Sequence, residues 1–421
     1  MSPYLFIMCM EMLGYLISEK CEAKLWDPVK ASRNGLAFSH LFFADDLVLF
    51  AKTDLKNYCH VREALDTFCD LSGQKVSLHK SKVYLSPNVS QSTRADLSEV
   101  LGFSSTNNLG KYLGFPLKHP GSTSQDFNFI IERVQAKLQG WKANMLSMAR
   151  RVILSQAVIS AIPSYVMQGC VLPARVLNHL DRTNRDFLWG ASESGKKMHM
   201  VSWSKIAKPK ARGGLGIQET KGRNLTLATK IYWRMTRSRG AGWAEVLHKK
   251  YQCQRQSKKR RQSRVKAAVE NGKAICDRGV KWIIESSSNL NLWHDKWLSA
   301  GTLRSLVEGP LAKGEDNLTV KDVIINGSWN LQMLSVPLSQ DILNVIKVTT
   351  LRRISVREDQ LSWTSSINGE FESRNAYLLA VGEDPSANDF HGKWVWKIKT
   401  LPKIQILLWK CLHNSLLSKI S

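Results

Sequence analysis

Phe38-Ser39-His40-Leu41-Phe42-Phe43-Ala44-Asp45-Asp46-Leu47-Val48-Leu49-Phe50 is the stretch that decides how the amino-terminal part folds. Two short runs rich in aromatic and branched residues flank a small polar break. That pattern predicts a hairpin, with Ala44-Asp45-Asp46 at its tip. Working outward, Pro3 opens a helix, and Leu5, Met8, Met12 and Leu16 recur at roughly helical spacing, which predicts a buried helix. After the hairpin, Val61, Leu65 and Phe68 share one face of a helix expected from about Asn57 to Asp70, closed by Ser72-Gly73. Val76 to Leu85 alternates as a further strand would.

The 421 residues suggest about two to four domains. With 43% hydrophobic residues and 23% charged, the chain can bury sizeable cores, which excludes wholesale disorder and a collagen-like fibre. Sixty Lys and Arg against 35 Asp and Glu give a formal charge of +25. Such an excess is the electrostatic footprint of a polyanion binder, nucleic acid first among them. The eight cysteines form no CxxC pair, which argues against a disulfide framework and a zinc ribbon and fits a reduced intracellular compartment. The apolar run from Ser2 to Ile17 is interrupted by Glu11 and has no preceding basic residue. It reads as neither a secretory signal nor a membrane span.

Residues 91–248 read as mainly helical. Phe127, Ile130, Ile131, Val134, Leu138, Trp141 and Met145 form one stripe. A helix from about Ser147 to Ile162 is expected to stop at Pro163. Another carries Val176, Leu177, Leu180, Phe187 and Leu188, and a further one spans about Asn224 to Thr236. Residues 249–345 open with nine Lys/Arg and no acid between Lys249 and Lys266, a charged segment before a tryptophan-rich stretch. Residues 346–421 end in a helix-like run, Ile404 to Ile420.

Asp45 and Asp46 carry the chemistry. Carboxylates on a rigid turn can hold the hard cations that nucleotidyl transfer requires. Asp-Asp is also ordinary turn chemistry, and these residues alone leave both readings open. Their neighbours add a resemblance. Ser2-Pro3-Tyr4-Leu5-Phe6 looks like the end of the RQGDPLSPYLF motif of plant non-LTR (LINE-type) retrotransposon reverse transcriptases. Phe43-Ala44-Asp45-Asp46 matches that family's F/YADD box. The stretch from Ser72-Gly73 to Lys80-Ser81 is similar to its SGLxxNxxKS segment, with Ser77 where Asn is usual. Lys111-Tyr112-Leu113-Gly114-Phe115-Pro116-Leu117 resembles its KYLGxPL box. Arg150-Arg151-Val152, Ile162 to Met167, Phe187 to Gly190, Pro209 to Ile217 and Trp293 to Leu298 continue the likeness. Trp394 to Leu412 looks like the start of the family's zinc-binding module.

The resemblance implies an α+β fold: a partial palm over residues 1–90, a helical thumb-like connector over 91–248, a basic and Trp-rich connector over 249–345, and the start of the zinc module over 346–421. It implies RNA-directed DNA polymerase activity, with RNA template and DNA primer as partners. Asp45 would ligate Mg²⁺ and Asp46 would assist it. Lys80 would lie near the incoming triphosphate, and Phe43, Tyr112 and Gly114 would help to position nucleotide and primer. The family's palm also uses an upstream metal-binding Asp and fingers that precede residue 1 of this sequence. Asp45 and Asp46 are therefore half a metal cage, Mg²⁺ is expected to bind weakly, and the chain alone is expected to be inactive. The alternatives are a non-catalytic nucleic-acid-binding protein or a truncated product without function.

Cys411 and His413 are two candidate zinc ligands where a structural site uses four, so zinc is not expected. Gly213-Gly214-Leu215-Gly216 lacks phosphate-loop spacing and reads as a turn. Lys258, Lys259, Arg260 and Arg261 read as a nucleic-acid backbone contact, a nuclear import signal or a solvated charge run. The nucleus is favoured over the cytoplasm on that basis, and no membrane partner is expected. Most tryptophans fall in apolar patterns and read as core.

Overall fold

The computed structural model describes residues 2–32, 35–117, 123–139, 146–190, 198–238, 240–251, 263–285, 288–295, 297–298, 301–349, 351–352, 359–383 and 390–416. The fold is mixed, mostly helical, with small sheets. It divides into two compact units, one of residues 1–126 with 238–263, the other of residues 127–237 with 264–421.

The first unit is built around the helix Ser2–Glu22 and the helix Leu55–Ser72. Leu13 and Ile17 pack with Val61, Leu65 and Phe68, and with Leu97 and Leu101 of the helix Gln91–Leu101. The amino-terminal helix is not buried all round. It sinks Met10, Leu13 and Ile17, while Tyr4, Leu5, Ile7, Met8 and Tyr15 face out. The apolar residues of this helix are too many for the single face that neighbours cover. Gly73 closes the second helix in the left-handed region, its N–H bonded to Cys69 O.

The expected hairpin forms, from His40–Phe43 and Asp46–Leu49. Val76 to Leu85 is a strand only over Lys82–Tyr84, which pairs in parallel with Ser104–Thr106. Residues 78–80 turn instead, Lys80 N and Ser81 N both donating to Ser77 O. A parallel neighbour needs a crossover rather than a hairpin, and the helix Gln91–Leu101 supplies it.

In the second unit the helix Arg264–Gly279 lies on the helix Thr220–Arg237. Gly272 makes this possible: a Cβ there would stand 2.4 Å from the Ala228 carbonyl oxygen. Asn224, fully buried, accepts from Leu172 N (2.8 Å) and donates to Cys170 O (3.0 Å), so its amide staples the preceding loop at no desolvation loss. The strand Val280–Glu285 is central in a three-stranded sheet, parallel to Leu351–Arg352 and antiparallel to Gln360–Trp363. Trp293, Trp297 and Trp363 are buried, as their apolar setting predicts.

Two helix boundaries depart from expectation. Pro163 does not stop a helix over Ser147 to Ile162. Met148–Leu154 runs into a π-helical turn over Ser155–Ile159, and Pro163 is the third residue of a new helix, Ala161–Met167. In a first turn the missing proline N–H costs nothing, because no intrahelical carbonyl awaits it. Near the carboxyl end the helix is Pro402–Leu412, not Ile404 to Ile420. His413 caps it, and Asn414 turns the chain at φ 48°. Trp141 and Met145 lie outside the described residues, as do 417–421.

Candidate functional site

The hairpin carrying Asp45 and Asp46 is anchored from beneath. Phe42, Leu47 and Leu49 pack into the core of the first unit, while Leu41 and Phe43 point outward and are exposed. Gly14 of the amino-terminal helix leaves room for the strand: a Cβ there would touch Phe42 Cε2 at 3.8 Å. Trp26, buried, donates its indole N–H to Phe50 O at 2.9 Å, and Phe50 N bonds Ser39 O at 2.8 Å. These contacts hold the root of the hairpin, so its tip is presented on a rigid base.

Phe43 pairs directly with Asp46, leaving Ala44 and Asp45 as the two turn residues. Asp46 is therefore the first residue of a strand, not part of the break. Ala44 sits at φ 51°, a left-handed value that two-residue hairpins normally give to Gly or Asn. Strain of about 1–2 kcal/mol is stored at the position next to the carboxylates. Both aspartates are exposed, and neither forms an ion pair with a described residue.

The other predicted positions are spread over the first unit. Lys80 is exposed in the turn before Lys82–Tyr84, and no described ion pair joins it to Asp45 or Asp46. Tyr112 and Gly114 lie on a second small hairpin, Lys111–Tyr112 with Phe115–Pro116, whose turn residues Leu113 and Gly114 both have positive φ (50° and 77°). Phe43, Asp45 and Asp46 are thus brought together on one hairpin. Lys258, Lys259, Arg260 and Arg261 fall outside the described residues.

The glycine-rich turn is a structural lock. Gly213 N bonds Lys210 O, Gly214 N bonds Pro209 O, Leu215 N bonds Ile206 O and Gly216 N bonds Lys208 O. Every amide that could cradle a phosphate is already engaged. The Gly213 carbonyl in turn accepts from Trp409 Nε1 at 2.7 Å and from His413 Nε2 at 2.8 Å. His413 stacks on Phe390 and is spent on this bond, while Cys411 is exposed.

The second unit also holds a cleft of about 210 Å³ that sequence reading did not find. Trp203, Lys208, Glu219, Tyr377 and Glu383 line it. Glu383 pairs with Lys208 (3.1 Å) and Arg212 (2.8 Å), and these hydrogen bonds overcome burial to hold its carboxyl below the usual range. Tyr377 Oη accepts from Glu219 N at 2.9 Å, and burial pushes the phenol up to about 12. Close by in sequence contacts, Asp181 accepts from Thr220 N, and burial pushes its carboxyl up to about 6. Some 170 residues separate the partners across this cleft, so no local pattern could have announced it.

Among the described residues no helix is long and apolar enough to cross a membrane. No family model matches the chain. It is 33% identical over 294 residues to a protein of Arabidopsis thaliana named "putative ribonuclease H protein", a match that takes in 67% of this chain and 47% of that protein. The chain therefore spans about half the length of this relative. On that similarity it is a distant homologue of the plant protein.

Proposed function

We propose that the chain is derived from a retroelement and is part of a non-LTR-type RNA-directed DNA polymerase, whose 421 residues by themselves bind nucleic acid rather than polymerise it. The observation that carries this reading is the anchored hairpin raising Asp45 and Asp46 at an exposed tip, in a chain of charge +25. The order of the reverse-transcriptase-like boxes and the plant relative support it. RNA template and DNA primer are the partners this reading names.

Asp45 and Asp46 offer the hard oxygen donors Mg²⁺ prefers. Phosphoryl transfer in such enzymes uses two ions held by several carboxylates. Among the described residues no group of three or more His, Cys, Asp or Glu side chains could hold a metal ion. Two neighbouring carboxylates at one exposed hairpin tip do not make that cage, so no metal-dependent step is assigned to them. What the residues present can do is bind polyanions. Lysines and arginines on phosphates release counterions, which makes such binding fall steeply with salt.

The experiment pairs binding with primer extension on an RNA template in Mg²⁺, for the wild type and Asp45→Asn. Salt-dependent binding with little or no synthesis is expected. A salt-independent affinity would refute the nucleic-acid reading, and efficient synthesis lost in Asp45→Asn would refute the statement that these residues bind without polymerising.

A further inference from the structure

The core around Trp409 joins Leu188 and Trp189 of the helix Ala174–Trp189 and Val201 to side chains of three further segments. Met148–Leu154 supplies Ala149 and Val152; residues 203–217 supply Ile206, Leu215 and Ile217; residues 390–416 supply Val395, Ile406 and Trp409. Residues 148–154, 203–217 and 390–416 carry eleven Lys and Arg residues and no Asp or Glu, while the helix Ala174–Trp189 brings Asp181 and Asp186. Two acids from elsewhere are already engaged: Glu383 pairs with Lys208 and Arg212, and Asp186 with His199. Arg150, Lys205, Lys210, Lys397, Lys399 and Lys403 are exposed, and none of them forms an ion pair with a described residue. Ordinary surfaces mix the two signs, so three acid-free segments converging on one core concentrate positive potential there.

Aromatic rings accompany these charges. Lys210 Nζ lies 4.9 Å from the centre of the Trp396 ring, and Lys410 Nζ lies 5.7 Å from that of Trp189. Trp394 is 49% exposed, unlike the tryptophans of the cores. Lys410 is half-buried, and burial together with the Arg151 charge lowers its affinity for a proton. A nearby anion would relieve that tension. Exposed cations and an indole free to stack are the two components of a single-strand binding surface.

We propose that this surface binds single-stranded nucleic acid, its lysines on the phosphates and Trp394 against an unpaired base. The proposal rests on the nucleic-acid reading above and places the contact in the second unit, apart from Lys258 to Arg261. An anionic membrane is the rival for a basic surface that also exposes Leu401, Ile404 and Leu407. The cations favour nucleic acid because they are not confined to residues 401–407, which expose those apolar side chains.

The test uses the whole chain and a labelled oligouridylate of about 20 nucleotides, titrated by fluorescence anisotropy at several salt concentrations. Lys397→Ala, Lys399→Ala and Lys403→Ala together should lower the log–log salt slope by about 2, at roughly 0.7 per lost single-strand phosphate contact. Trp394→Ala should weaken binding by about 5- to 100-fold, the range for one stacked base, and Trp394→Phe should restore much of it. All four positions are exposed, and unchanged melting temperatures verify that folding is intact. Wild-type binding with an unchanged slope in the triple variant would overturn this surface alone. Capture of phosphatidylserine vesicles without binding of the oligonucleotide would overturn it in favour of the membrane. Absence of any salt-dependent binding by the wild type would remove the nucleic-acid reading itself.

Discussion

Replacing Gly214 with Ala tests the lock that joins residues 206–216 to the carboxyl-terminal helix. A Cβ at Gly214 would stand 1.9 Å from the Lys208 carbonyl oxygen and 2.4 Å from its carbon. Carbon atoms of this kind do not approach closer than 3.0 Å, so the Lys208 peptide must retreat by at least about 1.1 Å. That peptide cannot move alone. Its oxygen accepts from Gly216 N at 3.0 Å, and the adjoining Pro209 carbonyl accepts from Gly214 N at 3.1 Å. Losing both bonds and leaving buried partners unsatisfied costs about 3–5 kcal/mol, at roughly 1–3 kcal/mol per stranded group. The clean comparison is Gly314→Ala. Gly314 has φ 90° with nothing within 4 Å of a Cβ, so only backbone strain of about 1–2 kcal/mol applies. Urea unfolding followed by tryptophan fluorescence is the assay, since twelve of the fourteen tryptophans belong to the second unit. Faster exchange of the Trp409 indole proton, which is bonded to Gly213 O, should accompany the loss. Equal costs for the two substitutions, within about 0.5 kcal/mol, would show that the Lys208–Gly214 approach does not constrain the fold.

Three further outcomes follow from the geometry. Asp181, with its carboxyl at about 6, binds its proton more tightly folded than unfolded, so stability should fall as pH rises from about 4 to 6 and level off above; Asp181→Asn should flatten that slope in a pH series of denaturation curves. Glu315 is buried, and although burial opposes its charge, bonds from Ser335 and Ala312 N hold the carboxyl below the usual range. Glu315→Ala strands these donors and should cost about 3 kcal/mol in the same unfolding assay, while the wild type should lose stability as acid protonates the carboxylate. Ala44→Gly relieves a left-handed alanine at the hairpin tip and should stabilise the first unit by about 0.5–1 kcal/mol, net of the extra chain entropy of Gly, measurable as a raised melting temperature.

The hairpin at 40–49 was legible because its signal is local. Alternating apolar runs around a polar pair leave few other folds, and Phe42 and Leu47 turned inward as that pattern requires. The same holds for the helices Leu55–Ser72 and Ala174–Trp189, whose apolar faces are continuous over several turns. Val76 to Leu85 misled because alternation without a partner does not make a strand. Only Lys82–Tyr84 finds one, and it is the parallel Ser104–Thr106 twenty residues on. Pro163 misled because a proline marks a helix start as readily as a stop, and the π turn before it is invisible in composition.

What the sequence determined by itself was the chain's chemistry: a large positive charge, an Asp pair on a turn, and apolar patterning sufficient for cores of mixed α and β elements. Those are properties of residues and near neighbours, and they survive without knowledge of distant contacts. The tertiary structure alone decided where charge becomes a surface and where glycine becomes a constraint. It brought residues 148–154, 203–217 and 390–416 to one core, set His413 on the Gly213 carbonyl, and paired Arg212 with Glu383 across 171 positions. Such pairings depend on how separate segments pack against one another, which is why no local spacing in the chain foretold them.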